Sequence, residues 1–100
     1  FRSQRNLKIQ VVLGLVAVAA GFALGISRVD WLAIVLCIIV VSVAEVVNTA
    51  IESAVDLASP EWHELARTAK DAAAGAVLLA STGSVIVGLI VFAPYVLDLL

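Results

Sequence analysis

The chain has 100 residues, 63% hydrophobic and only 14% charged, with a net charge of −2. Soluble domains carry about 25% charged residues and are nearer half apolar. At a mean hydropathy of +1.15 this chain has more apolar surface than one small soluble core could hide, and a bilayer removes that difficulty. No long basic run points to nucleic acid. Cys37 is the sole cysteine, which excludes an internal disulfide, and in its apolar run it reads as an inert thiol.

The chain opens on Phe1 and not on Met, so its true N-terminus is expected upstream. A spanning helix needs about 20 mostly apolar residues. The first candidate is Ile9–Ser27, charge-free, with Gly14, Gly21 and Gly25 suited to close helix packing in lipid. No small-residue cleavage site follows and two more apolar segments come later, so this is read as a retained helix and not a signal peptide. It stops at the short polar turn Arg28-Val29-Asp30. The second runs from Trp31 to Ser59, charge-free through Ala44 and free of breakers until Pro60. It exceeds the bilayer core, so its C-terminal turns are expected to emerge. A charged and partly helical connection, Pro60–Lys70, leads to the third, Ala72–Leu97. That segment has Asp71 at its entry, Pro94 near its end, and Gly75, Gly83 and Gly88 along it. The fold class is therefore all-α: a single integral membrane domain over residues 1–100 with three transmembrane helices.

Arg2, Arg5, Lys8, Arg67 and Lys70 fall on one side of such a topology and only Arg28 on the other. The positive-inside rule places the N-terminus and the Pro60–Lys70 connection in the cytoplasm and the C-terminus outside.

Glu45, Asn48, Glu52 and Asp56 follow one another at spacings of three, four and four, which puts them on one helix face, with Thr49 beside them. Carboxylates at membrane depth are costly and mark function by default. Asp56 is equally an ordinary solvated acid at an emerging helix end. Lys70 either pairs with one of the acids or binds phosphate. There is no GxxxxGK[ST] loop and no Gly-rich kinase loop, so Walker-type sites are excluded. The single His63 argues against a zinc cluster.

The stretch Ala44–Asp56 (AEVVNTAIESAVD), then His63-Glu64-Leu65-Ala66, Ala69-Lys70-Asp71 and Ala74–Leu78, resembles the signature of the small prokaryotic diacylglycerol kinase family, which includes the undecaprenol kinases. The resemblance covers nearly the whole chain from about Ser3. It implies a homotrimeric bundle of three-helix subunits in the bacterial inner membrane, with active sites between subunits. It also implies transfer of the ATP γ-phosphoryl group to a lipid hydroxyl at the cytoplasmic interface. By that resemblance Glu45 is the general base, Asn48 orients it, and Glu52 holds Mg²⁺ bridging the ATP phosphates. Glu61, His63, Lys70 and Asp71 line the nucleotide side, with Lys70 on phosphate and Asp56 in support. Phosphoryl transfer needs mainly positioning and charge neutralisation, which suits this set.

The sequence departs from the family in two places. The family pattern E-x-N-[FL]-[RK]-I becomes Gln4-Arg5-Asn6-Leu7-Lys8-Ile9, so Gln4 stands where the second metal-ligand glutamate is expected; Lys8 in the same pattern is a candidate lipid contact. Glutamine keeps one acceptor oxygen and loses the charge, so metal affinity and turnover should fall. The amphipathic surface helix that precedes this point in the family is expected to be absent here. Two other readings follow: a non-catalytic family member, motivated by Gln4, and a small transporter or channel subunit, motivated by intramembrane acids such as Glu45. The wording AEVVNTAIE and AKDAAAGAVLL resembles the undecaprenol kinase branch more than the diacylglycerol kinases.

Overall fold

The computed structural model describes the backbone of residues 2–100 and the side chains of residues 8–100. Three helices account for almost all of it: α1 (Arg2–Leu24), α2 (Arg28–Ala58) and α3 (Glu64–Leu99). An all-helical build is what an apolar chain requires, because every backbone N–H and C=O is then satisfied within its own segment.

The helix ends have local causes. Gly25 adopts φ +62°, the left-handed conformation that ends α1, and the Ile26 N–H returns to the Gly21 carbonyl at 3.2 Å. This is a Schellman closure with glycine where a side chain would be strained. Ser27 then caps α2, its Oγ accepting from the Asp30 N–H at 3.2 Å. The expected polar turn at 28–30 is thus the first turn of α2, with Asp30 favoured by the positive helix end. At the far end Ser59 donates its N–H to the Val55 carbonyl at 2.8 Å, and Pro60 stops the helix. His63 caps α3 by accepting the Leu65 N–H on Nδ1 at 3.0 Å. The connection of the sequence reading therefore narrows to Pro60–His63, and Glu64–Lys70 is already helix. Pro94 has no N–H to give back along α3, yet α3 continues to Leu99.

α2 and α3 lie antiparallel and form the main interface, while α1 packs chiefly against α2. The small core sits at the Gly25 end: Ile26, Ile34 and Val91 are buried there, with Trp31, Phe92 and Tyr95 against them. Ser27, Asp30 and Tyr95 lock this end. The Tyr95 hydroxyl donates to Asp30 Oδ2 at 2.6 Å and accepts the Ser27 N–H at 3.1 Å.

Elsewhere the surface is apolar. Phe22, Leu79 and Leu97 are among many large hydrophobics left exposed. Such an outside suits lipid tails or other copies of the chain. α2 and α3 are each long and apolar enough to cross a membrane, and the described apolar part of α1, Lys8–Leu24, is shorter. Two of the three expected spans are therefore visible by length and composition. A groove of about 290 Å³ runs between the helices, bordered by Gln10, Gly14, Ile34, Ser42, Ser84 and Gly88 among others.

Candidate functional site

Five of the polar residues singled out in the sequence gather at the end of the molecule opposite Gly25. A groove of about 330 Å³ opens where α2, the Pro60–His63 link and the start of α3 meet. Asp56, Glu61, His63, Lys70 and Asp71 all line it. Antiparallel packing produces this meeting. Asp56 ends one helix, Lys70 begins the next, and the two side chains form an ion pair. The acid beside Lys70 is Asp56. The pair is substantially exposed, with side-chain exposures of 39% for Lys70 and 66% for Asp56. Its net stabilisation is therefore small, about 0–1 kcal/mol, and a competing anion can displace it.

The other candidates lie along α2, outside this groove. Glu52 is exposed one turn from Asp56. Glu45 and Asn48 are half-buried, and Glu45 stands eleven residues from Asp56, about 16 Å of helix rise. The Thr49 hydroxyl donates to the Glu45 carbonyl at 3.0 Å, so it is occupied by its own helix. Asn48 Oδ1 is buried and has no hydrogen-bond partner among the described residues. A buried acceptor left empty costs about 1–3 kcal/mol, and such orphans call for an explanation.

No group of three or more His, Cys, Asp or Glu able to hold a metal occurs among the described residues. The donor chemistry still fits magnesium as a nucleotide companion. Mg²⁺ takes one or two carboxylates and completes its shell with phosphate oxygens and water. Glu52 would be one such carboxylate. The side chain of Gln4 lies outside the described residues. Lys8 is exposed on α1 and is not among the residues lining the Lys70 groove.

Trp62 and Arg67 are among the groove residues that the sequence reading did not assign to the site. Trp62 is 76% exposed on the link between Glu61 and His63. Arg67 sits one turn before Lys70 and contacts Asp71 at 3.7 Å. The i, i+3 spacing of Arg67 and Lys70 was the available signal, since it puts both cations on one face of a helix. His63 has a structural task as well, because its Nδ1 is committed to the α3 cap.

A family model described as "Prokaryotic diacylglycerol kinase" matches residues 1–92. The undecaprenol kinase of Bacillus subtilis is 40% identical over 93 residues, covering 93% of this chain and 76% of that protein. The diacylglycerol kinase of Synechocystis is 41% identical over 101 positions, covering 100% of this chain and 58% of that protein. The diacylglycerol kinase of Escherichia coli K12 is 35% identical over 72 residues, covering 72% of this chain and 59% of that protein. The chain thus spans less than two thirds of the length of the last two. The chain belongs to the prokaryotic diacylglycerol kinase family, a family of membrane lipid kinases.

Proposed function

We propose that this member of the prokaryotic diacylglycerol kinase family transfers the γ-phosphoryl group of ATP to the hydroxyl of a membrane lipid, undecaprenol or diacylglycerol. The observation that carries the reading is the polar row on α2 ending in an ion-paired groove. The row runs from a nucleotide end, where Lys70 of α3 meets Asp56, to a lipid end at Glu45, with Glu52 between them on α2.

Depth along the helices supports the assignment. From Asp30 to Glu45 is about 22 Å, to Glu52 about 33 Å and to Asp56 about 39 Å of rise. With the Asp30–Tyr95 end at one edge of a hydrocarbon core about 30 Å thick, Glu45 lies about 8 Å inside the opposite edge, Glu52 just past that edge and Asp56 among the headgroups. A lipid hydroxyl therefore meets Glu45, and a water-borne nucleotide meets Lys70. α1 completes the bundle as the third span. The N-terminus and the Pro60–His63 link face the cytoplasm of a bacterial inner membrane, and the C-terminus faces outside.

In this reading Glu45 accepts the proton of the lipid hydroxyl as its oxygen attacks the γ-phosphorus, and ADP departs with the bridging oxygen. Asn48, whose Oδ1 lacks a donor among the described residues, holds the hydroxyl or the base in line. Lys70 exchanges Asp56 for phosphate. Glu61, His63 and Asp71 line the nucleotide side, and Lys8 touches the lipid. Glu52, with residue 4, would hold Mg²⁺, which when bound neutralises phosphate charge. Three copies assemble so that each site is completed by a neighbouring subunit. Residues 1–100 act as one membrane domain. The acceptor leans to undecaprenol on motif wording alone, since the relatives at 40% and 41% identity carry the two different names.

The test is transfer of radiolabelled phosphate from ATP to undecaprenol and to diacylglycerol in mixed micelles with Mg²⁺. Glu45→Gln should lower kcat by about 10²–10⁴-fold, the usual worth of a general base. Gln4→Glu should raise turnover at limiting Mg²⁺, and the faster lipid names the acceptor. Silence of both the chain and Gln4→Glu on both lipids would overturn the reading in favour of a non-catalytic relative, and full activity in Glu45→Gln would remove Glu45 as the general base.

A further inference from the structure

Arg67 stands where helix physics does not favour a cation. It lies at the end of the first turn of α3, near the positive end of a 36-residue helix. Its only ion pair among the described residues is with Asp71, four residues on. That order, cation before acid, is the weaker arrangement on a helix. The contact runs through Nε at 3.7 Å, longer than the roughly 2.7–2.9 Å of a charge-assisted hydrogen bond. Both side chains are about 70% exposed (70% and 72%), which weakens the pair further. The terminal N–H fork of the guanidinium is thus left for another acceptor.

The same side chain lines the Lys70 groove. Lys70 follows by three residues, and its own partner is also an acid, Asp56. Two cations a turn apart, each held by a carboxylate, border one space together with the N-terminus of α3. We propose that Arg67 is a second phosphate-binding residue of this groove, held by Asp71 until a nucleotide polyphosphate takes its place. The proposal rests on the lipid kinase reading and deepens it.

The physical case is one of pair exchange. A single phosphate gains little by separating two ion pairs. A polyphosphate meets both cations at once, and Arg matches phosphate oxygens with two parallel N–H donors where Lys offers a point charge. It also gains the positive helix end. Asp56 and Asp71 meanwhile screen the cations from singly charged anions, lipid headgroups included. Trp62, Glu61 and His63 border the rest of the groove, and they offer a nucleoside contacts that a headgroup phosphate lacks.

The experiment is Arg67→Gln in the otherwise intact protein. ATP, ADP and AMP binding would be measured by titration calorimetry, alongside KM for ATP and for lipid. The expected result is a Kd and KM for ATP raised about tenfold, the scale of one charge-assisted contact. The loss should shrink from ATP to AMP, kcat and the lipid KM should hold, and Arg67→Lys should recover part of the binding. An unchanged ATP Kd overturns the proposal. So does a change confined to the lipid KM or to association with anionic vesicles, which would make a headgroup the ligand. A native chain that binds ATP but phosphorylates neither lipid, with weaker ATP binding in Arg67→Gln, keeps the Arg67 assignment and removes the kinase reading. A native chain that binds no ATP removes both.

Discussion

Asn48 and Gly21 show how single side chains set the limits of this molecule. Asn48 carries a buried oxygen with no donor among the described residues, at a cost of about 1–3 kcal/mol. Its neighbour Thr49 has the opposite fate, its hydroxyl closed back onto the Glu45 carbonyl. Gly21 is constrained by space. A Cβ there would stand 2.7 Å from the tip of Trp31 and 3.1 Å from Ile26. Trp31 cannot swing freely, because it also packs on Phe22 with ring centroids 4.9 Å apart. Gly21→Ala should therefore destabilise the fold by about 1–3 kcal/mol, the cost of overpacking, read as a lower unfolding midpoint in detergent. An unchanged midpoint would show that the indole yields without cost. The acids of the site were legible residue by residue, since periodicity alone aligns Glu45 with Asn48 and Glu52. Arg67 and Trp62 were not, because only the fold brings the Pro60–His63 link against the end of α2.

At the scale of elements, the α2–α3 hairpin is pinned at both ends. Asp56 and Lys70 meet at one end, and Asp30, Tyr95 and Ser27 at the other. The two pins agree in register. About 39 Å of α2 separates Asp30 from Asp56, and about 38 Å of α3 separates Tyr95 from Lys70. The Tyr95 pin also holds the α1–α2 turn, since Ser27 belongs to it. Tyr95→Phe removes one donor and one acceptor and leaves Asp30 without its partner, so a loss of about 1–3 kcal/mol is expected. Thermal unfolding in micelles measures it. KM for ATP should stay unchanged, because the groove lies at the other end of the hairpin. A shift in KM of Tyr95→Phe with intact stability would mean that the two ends are coupled.

The whole molecule is longer than it is thick, 55 × 21 × 20 Å, and its few buried residues cannot account for so apolar a chain. Val43, Val46, Leu89 and Ile90 remain exposed on α2 and α3, available to lipid or to other copies. The site is also open in one chain: Glu45 stands about 16 Å and Asn48 about 12 Å along α2 from Asp56. Both facts fit assembly with shared sites. Native mass spectrometry in detergent should find three chains per particle. Mixing Glu45→Gln subunits with Lys70→Gln subunits should restore a fraction of the activity that each lacks alone. Mixtures as inactive as their parts would confine the site to one chain.

Apolar runs of this length favour helices in lipid, so the sequence by itself determined that the chain is helical and membrane-embedded and which acids share a face, while the helix ends moved by a few residues from their expected places. Local chemistry carried that much, because helix period and turn residues act within a few positions of the chain. Tertiary structure alone decided that Lys70 answers Asp56, that Tyr95 reaches back 65 residues to Asp30, and that Arg67 lines the groove. Those outcomes depend on how antiparallel helices slide past one another, and that register is set by packing and paired charges far apart in the chain.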